Sequence, residues 1–179
     1  AIRLFDHGEL IAEKLFFSGI RHVKLEYEAF NTAEHPGKFQ LLINGRKIFA
    51  KGSNIVSPDI FFSKITPERY ETLVRYAADA NMNIFRMWGG AGPAKASFYD
   101  MCDAAGMLIW QEFMLACNNY LPRGNYIDVL TSEATSIIHQ LRSHACLVLW
   151  CGGNELFNNW SLMTDQHLAL RLLNKLTYD

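Results

Sequence analysis

The sequence predicts an α/β chain: the N-terminal half of a TIM (β/α)8 barrel, preceded by the terminal strands of a β-sandwich. Three observations predict it. Period-two alternation before residue 31 gives way, from residue 39, to short apolar runs that alternate with stripes at helical spacing. Those runs read as continuously apolar, as in parallel strands covered on both faces. No glycine-rich phosphate loop follows the first of them, although an open doubly wound sheet usually carries one.

Residues 1–30 alternate loosely, with Asp6-His7-Gly8-Glu9 as a hairpin turn and a clean alternation at Val23, Leu25 and Tyr27. The polar stretch 31–38, "NTAEHPGK", reads as a linker. The expected domains are therefore 1–36, sandwich strands plus linker, and 37–179, the barrel part. "FQLLINGRKIFAKG" places two apolar runs around Asn44-Gly45, a strong hairpin signal. Thr66-Pro67 starts a helix, with a hydroxyl N-cap followed by proline at the first helical position, and Tyr70, Leu73, Val74, Ala77 and Ala78 stripe it. "NIFRMW" (83–88) is a strand. Phe98, Met101, Cys102 and Ala105 stripe the next helix, which Gly106 stops. "MLIWQEF" (107–113) is a strand, Leu130, Ala134, Ile137, Ile138 and Leu141 stripe a third helix, and "CLVLW" (146–150) is another strand. Ala169, Leu172, Leu173 and Leu176 mark a fourth helix. Four β-α units fill about half of a barrel of roughly 250 residues. "GGAGPAK" (89–95) lacks both the glycine before Lys95 and the hydroxyl after it that a phosphate loop needs.

Half of the residues are hydrophobic and a fifth charged, so the chain can bury a real core. With 17 basic and 18 acidic residues and no basic stripe, nucleic acid is excluded as a partner. No apolar run reaches the length of a membrane span. The chain begins with Ala1 inside a strand pattern and ends at Asp179 just past a helical one, so it reads as cut from something larger, and its compartment stays unassigned. Cys102, Cys117, Cys146 and Cys151 form no CxxC pair and no zinc-finger spacing, which favours reduced thiols over a disulfide framework.

Barrel active sites gather at the C-terminal ends of the strands. Those ends carry Arg86 and Trp88, then Gln111 and Glu112, then Asn154 and Glu155. Each has a plainer use: Arg86 to neutralise a buried acid, Glu112 to pair on the helix side, Glu155 to cap a segment, Trp110 and Trp150 to fill space. Three charges at three consecutive strand ends are nevertheless costly to bury without a polar task. Acids, an arginine and aromatic faces suit a sugar, since a carboxylic acid can protonate a glycosidic oxygen. His139 and His144 lie away from these ends and a G-x-S-x-G elbow is absent, so neither a metal site nor a serine nucleophile is expected.

In order along the chain, "FQLLINGRKIFAKGSN", "NIFRMWGG", "FYDMCDAAGMLIWQEFMLAC" and "HACLVLWCGGNE" resemble the catalytic barrel of glycoside hydrolase family 2, and within it the β-mannosidase branch. Other branches usually place Ser-His-Tyr where this chain has Trp88-Gly89-Gly90. The resemblance, over about residues 10 to 179, implies that the first strands end an immunoglobulin-like sandwich. It implies a retaining hydrolase acting on terminal β-linked sugars of oligosaccharides or glycoprotein glycans, most like a β-mannosidase, without cofactor or metal. Glu155 would be the acid/base, Asn154 would bind the 2-hydroxyl, Arg86 would hold the nucleophile's carboxylate, and Trp88 would line the sugar site. Glu112 matches an acidic position of its strand, and Trp160 is a candidate sugar platform. Spacing alone would pair Glu112 with Glu155 as the two carboxyls of a retaining enzyme, about 5–5.5 Å apart; the resemblance instead puts the nucleophile on a later, seventh strand. Ile55 stands where the family commonly has Trp, and "AGPAKAS" replaces an acidic, aromatic loop, which bears on the substrate. The alternatives are an exo-β-glucosaminidase or other family 2 specificity, and a carbohydrate-binding barrel without catalysis. A half barrel also leaves open sheet edges, which favours self-association.

Overall fold

The computed structural model describes residues 1–28 and 32–178. Asn31, the first residue of the expected linker, lies outside the described residues. The chain is mixed α/β, and its described residues form three separate sheets.

Strands β1 (Ile2–Asp6) and β2 (Glu9–Lys14) form an antiparallel hairpin turned at His7 and Gly8, as the sequence indicates. The second sheet runs β3 (Val23–Tyr27), β4 (Phe39–Ile43), β5 (Arg46–Ile48), all antiparallel, with Asn44-Gly45 closing the tight turn between β4 and β5. This pairing crosses the linker. The strand 23–27, expected to lie with the sandwich strands, is zipped from Val23↔Ile43 to Tyr27↔Phe39 onto the hairpin expected to open the next domain.

The third sheet is parallel, in the order β6 (Gly52–Ile55), β7 (Ile84–Met87), β8 (Leu108–Glu112), β9 (Leu147–Cys151). Helices α1 (Pro67–Asp79), α2 (Ala96–Ala105) and α3 (Tyr126–Leu141) cross between successive strands, and α4 (Leu168–Tyr178) follows β9. The Thr66 side chain caps α1 by accepting from the Arg69 N–H, and Gly106 ends α2 in the left-handed region. β6 departs from expectation: its residues are Gly-Ser-Asn-Ile, so the first parallel strand is polar and sits at the sheet edge.

Strand alternation sends successive side chains to opposite faces. One face, with Phe85, Met87, Ile109 and Gln111, packs on the helices. There Phe98 of α2 meets Tyr70 of α1 and Phe85 of β7 at ring-centroid distances of 5.2 and 5.7 Å. The opposite face holds Asn54, Arg86, Trp110 and Glu112, with Asn54, Arg86 and Trp110 directly in register across three strands. Asn83, just before β7, holds the segment between β5 and β6, accepting from Lys51 N and donating to Phe49 O. Arg21 donates to the carbonyls of Ala145 and Leu147, clamping the chain before β3 against the start of β9. Among the described residues no helix is long and apolar enough to cross a membrane.

Candidate active site

The C-terminal ends of β7, β8 and β9 carry a bonded polar cluster on the face away from the helices. The Arg86 guanidinium is its centre. Its Nε donates to Glu112 Oε1 at 2.8 Å, and its Nη2 lies 2.6 Å from the same oxygen. Nη1 donates to Asn54 Oδ1 at 3.1 Å and Nη2 to Asn154 Oδ1 at 2.6 Å. The other Glu112 oxygen accepts the Gly89 N–H at 2.8 Å. Glu112 is 1% exposed, so its charge is tolerated only because both oxygens are satisfied. The plainer use for Arg86, neutralising a buried acid, is part of what it does, yet its other nitrogens reach two amides on two further elements. The Trp110 ring lies beneath, 5.6 Å from the guanidinium carbon, in cation–π range.

Side-chain parity divides the end of β8. Gln111 is fully buried on the helix face, where it accepts from the Tyr99 hydroxyl at 2.7 Å, so it does not join the cluster. Its neighbour Glu112 points the other way.

Beyond β9 the chain turns through Gly152 and Gly153. A Cβ on Gly153 would stand 2.3 Å from the Leu115 carbonyl oxygen, a backbone atom that cannot yield, so only glycine lets the two loops touch. They then pair like short strands: Asn154 N donates to Leu115 O at 2.8 Å and Cys117 N to Asn154 O at 2.9 Å. The result delivers a buried Asn154 next to an exposed Glu155. Glu155 has φ 52°, a left-handed backbone uncommon for a non-glycine residue and frequent at functional sites. Its carbonyl accepts from Asn158 Nδ2 and Ser161 Oγ, which hold the backbone. Its carboxylate takes a thiol hydrogen bond from Cys117 at 3.5 Å, and that sulfur accepts from Asn154 Nδ2 at 3.2 Å.

Of the residues expected to form a site, Arg86, Glu112 and Asn154 are thus directly joined, and Glu155 attaches through Cys117. Trp88 is half-buried beside them, its six-membered ring lying over Gly90, which has no side chain to obstruct it. Trp160 is exposed and lines, with Glu155, Trp150, Asp165 and Arg171, a cleft of about 920 Å³ between β9 and α4. Trp150 stacks on Phe113 at 5.3 Å, which agrees with a packing role. Asn54 and Cys117 were not singled out from sequence. Asn54 sits in register with Arg86, a relation only strand pairing reveals, and Cys117 reads in sequence as one of four unremarkable thiols.

Among the described residues one other group has metal-ligating types: Asp103, His144 and Cys146, at the opposite end of β9. Asp103 is already committed, accepting from Cys146 N and sharing 2.7 Å with His144 Nδ1. Burial, reinforced by Asp103, pushes the Cys146 thiol up and disfavours the thiolate a metal would need. The group clasps α2 to β9.

No protein-family model matches the chain. The chain is similar to the β-mannosidase of Capra hircus, with 38% identity over 149 residues, which is 83% of this chain and 17% of that protein. It therefore spans about a sixth of that relative's length. The crystal structure of β-D-mannosidase from Dictyoglomus thermophilum superimposes with a TM-score of 0.80 at 30% identity, over 96% of this chain and 22% of that one. A Bifidobacterium dentium β-glucuronidase matches with a TM-score of 0.75 at 20% identity, over 96% of this chain and 26% of that one, a likeness of fold.

Proposed function

We propose, from the premise that this chain is a β-mannosidase-like member of glycoside hydrolase family 2, that it carries the acid/base side of a retaining β-glycosidase active site, with terminal β-mannosides as substrate. The four parallel strands and their helices are read as the first half of a (β/α)8 barrel, residues 37–179. The hairpin β1–β2 is read as the end of an immunoglobulin-like sandwich within residues 1–36. The β3–β4 pairing supports moving strand 23–27 to the barrel side of that boundary.

In this reading Glu155 gives its proton to the glycosidic oxygen as the bond to the anomeric carbon breaks. A second carboxylate, on a later strand of the whole enzyme, forms the glycosyl–enzyme bond. Glu155 then takes a proton from the water that cleaves it. Asn154, oriented by Arg86, binds the 2-hydroxyl through its amide. Trp88 lines the sugar and Trp160 forms an outer platform. Arg86 spends one Nη1 hydrogen on Asn54, leaving the other to steady the nucleophile's carboxylate. Glu112 keeps the guanidinium in place.

The observation that supports this most is the Arg86 bond network joining Glu112 and Asn154 across neighbouring strand ends, with Glu155 one residue on. The test is a panel of aryl glycosides on the full-length protein, with the product anomer followed by NMR. Preferred hydrolysis of β-mannosides with retention is expected. Preference for β-glucosaminides would move the specificity, inversion would remove the mechanism, and sugar binding without turnover would leave a binding barrel.

A further inference from the structure

We propose that Cys117 is a positioning residue for the Glu155 carboxylate, an inference that rests on the acid/base reading of Glu155. Among the described residues Cys117 is the side chain that hydrogen-bonds to that carboxylate. An exposed carboxylate on a flexible stem samples several rotamers, and an acid/base group misplaced by about 1 Å can lose up to about a hundredfold in rate. Something must therefore hold it, and the structure builds Cys117 for that contact. Its N–H bonds the Asn154 carbonyl at 2.9 Å, tying the two loops together one residue before Glu155. The Tyr120 hydroxyl bonds both the N–H and the carbonyl of Ala116, bracing the segment on its other side. Cys117 and Glu155 both have left-handed backbones, with φ of 53° and 52°, so two uncommon conformations are spent on turning these side chains toward each other.

The sulfur's position completes a chain. Arg86 Nη2 donates to Asn154 Oδ1, Asn154 Nδ2 donates to Cys117 Sγ, and the thiol donates to Glu155 Oε2. The order of donors assigns each proton. With its sulfur already accepting from Asn154, the thiol is left to donate, and it fixes Oε2 while Oε1 remains available to the leaving oxygen. A thiol is a weak donor. It orients the carboxylate without competing strongly with the proton transfer.

The test uses the full-length protein and two β-mannosides, one with a dinitrophenyl leaving group that needs no protonation and one with an alkyl leaving group that does. Cys117→Ala is expected to lower kcat/KM on the alkyl glycoside about tenfold and to leave the dinitrophenyl glycoside within about twofold. Cys117→Ser, which keeps a donor, is expected to recover most of the loss, with melting temperatures matched across the three proteins. Equal loss on both substrates, no loss in the alanine variant, or a serine variant as poor as alanine overturns the proposal while leaving the acid/base reading intact. A wild-type protein that hydrolyses neither these nor any other aryl glycoside overturns both.

Discussion

Arg86 Nη2 stands 2.6 Å from Asn154 Oδ1, which ties the end of β7 to the loop beyond β9 across the intervening strand β8. The same guanidinium grips Glu112 on β8, so one side chain sets the spacing of three strand ends. A planar fork of five donors can do this, and a lysine cannot. The cluster is consequently a unit, and its members respond to substitution in distinguishable ways.

On the acid/base reading proposed for Glu155, Glu155→Gln in the full-length protein removes the proton donor and keeps the shape. Kinetics on β-mannosides with poor leaving groups should show a fall of about 10²–10⁴ in kcat/KM, the usual worth of general acid catalysis. Near-normal turnover of such substrates would remove Glu155 from that role.

Arg86→Met leaves the Glu112 carboxylate, 1% exposed, without its counter-ion. Chemical denaturation should show a loss of about 3–5 kcal/mol, and the double variant Arg86→Met/Glu112→Gln should lose less than the single one, because no buried charge is stranded. A double variant that is the less stable of the two would contradict this account of the pair.

Thiol labelling should be ordered by exposure. Cys117 is exposed and Cys102 and Cys146 are buried. Burial also pushes the Cys102, Cys146 and Cys151 thiols upward, so at pH 8 they remain protonated and unreactive, the thiolate being the nucleophile. The sign follows: their labelling should quicken only as pH rises beyond the ordinary thiol range or as the fold opens. Mass spectrometry after iodoacetamide treatment should find Cys117 modified first, and the other three together in guanidinium. Early modification of Cys102 or Cys146 in the native protein would refute the buried placement.

The 179-residue chain on its own should hydrolyse no aryl β-mannoside and should self-associate. The β1–β2 hairpin leaves Ile2, Leu4, Phe5, Leu10 and Ile11 each more than half exposed, and exposed apolar strands are templates for pairing. Light scattering with an activity assay checks both, and an active monomer would contradict them.

Much of the local structure was legible. Asn44-Gly45, Thr66-Pro67 and Gly106 mark turn, helix start and helix stop through the dihedrals their own side chains permit, and the structure uses each as read. β6 was harder, because Gly-Ser-Asn-Ile has no apolar run and its strand character comes from pairing with β7. The partner of β3 was not legible at all, since nothing local tells Val23 that Ile43 lies opposite.

By itself the sequence determined the α/β alternation and the family resemblance, and it offered Arg86, Glu112, Asn154 and Glu155 together as candidates. These are properties of spacing along the chain. The tertiary structure decided which neighbours touch: that Gln111 turns to Tyr99 while Glu112 turns to Arg86, that Asn54 stands in register with the guanidinium, and that Cys117 reaches Glu155. Which face each residue takes, its register and its loop-to-loop contacts are set by contact between segments far apart along the chain, 38 residues for Cys117 and Glu155 and 68 for Arg86 and Asn154.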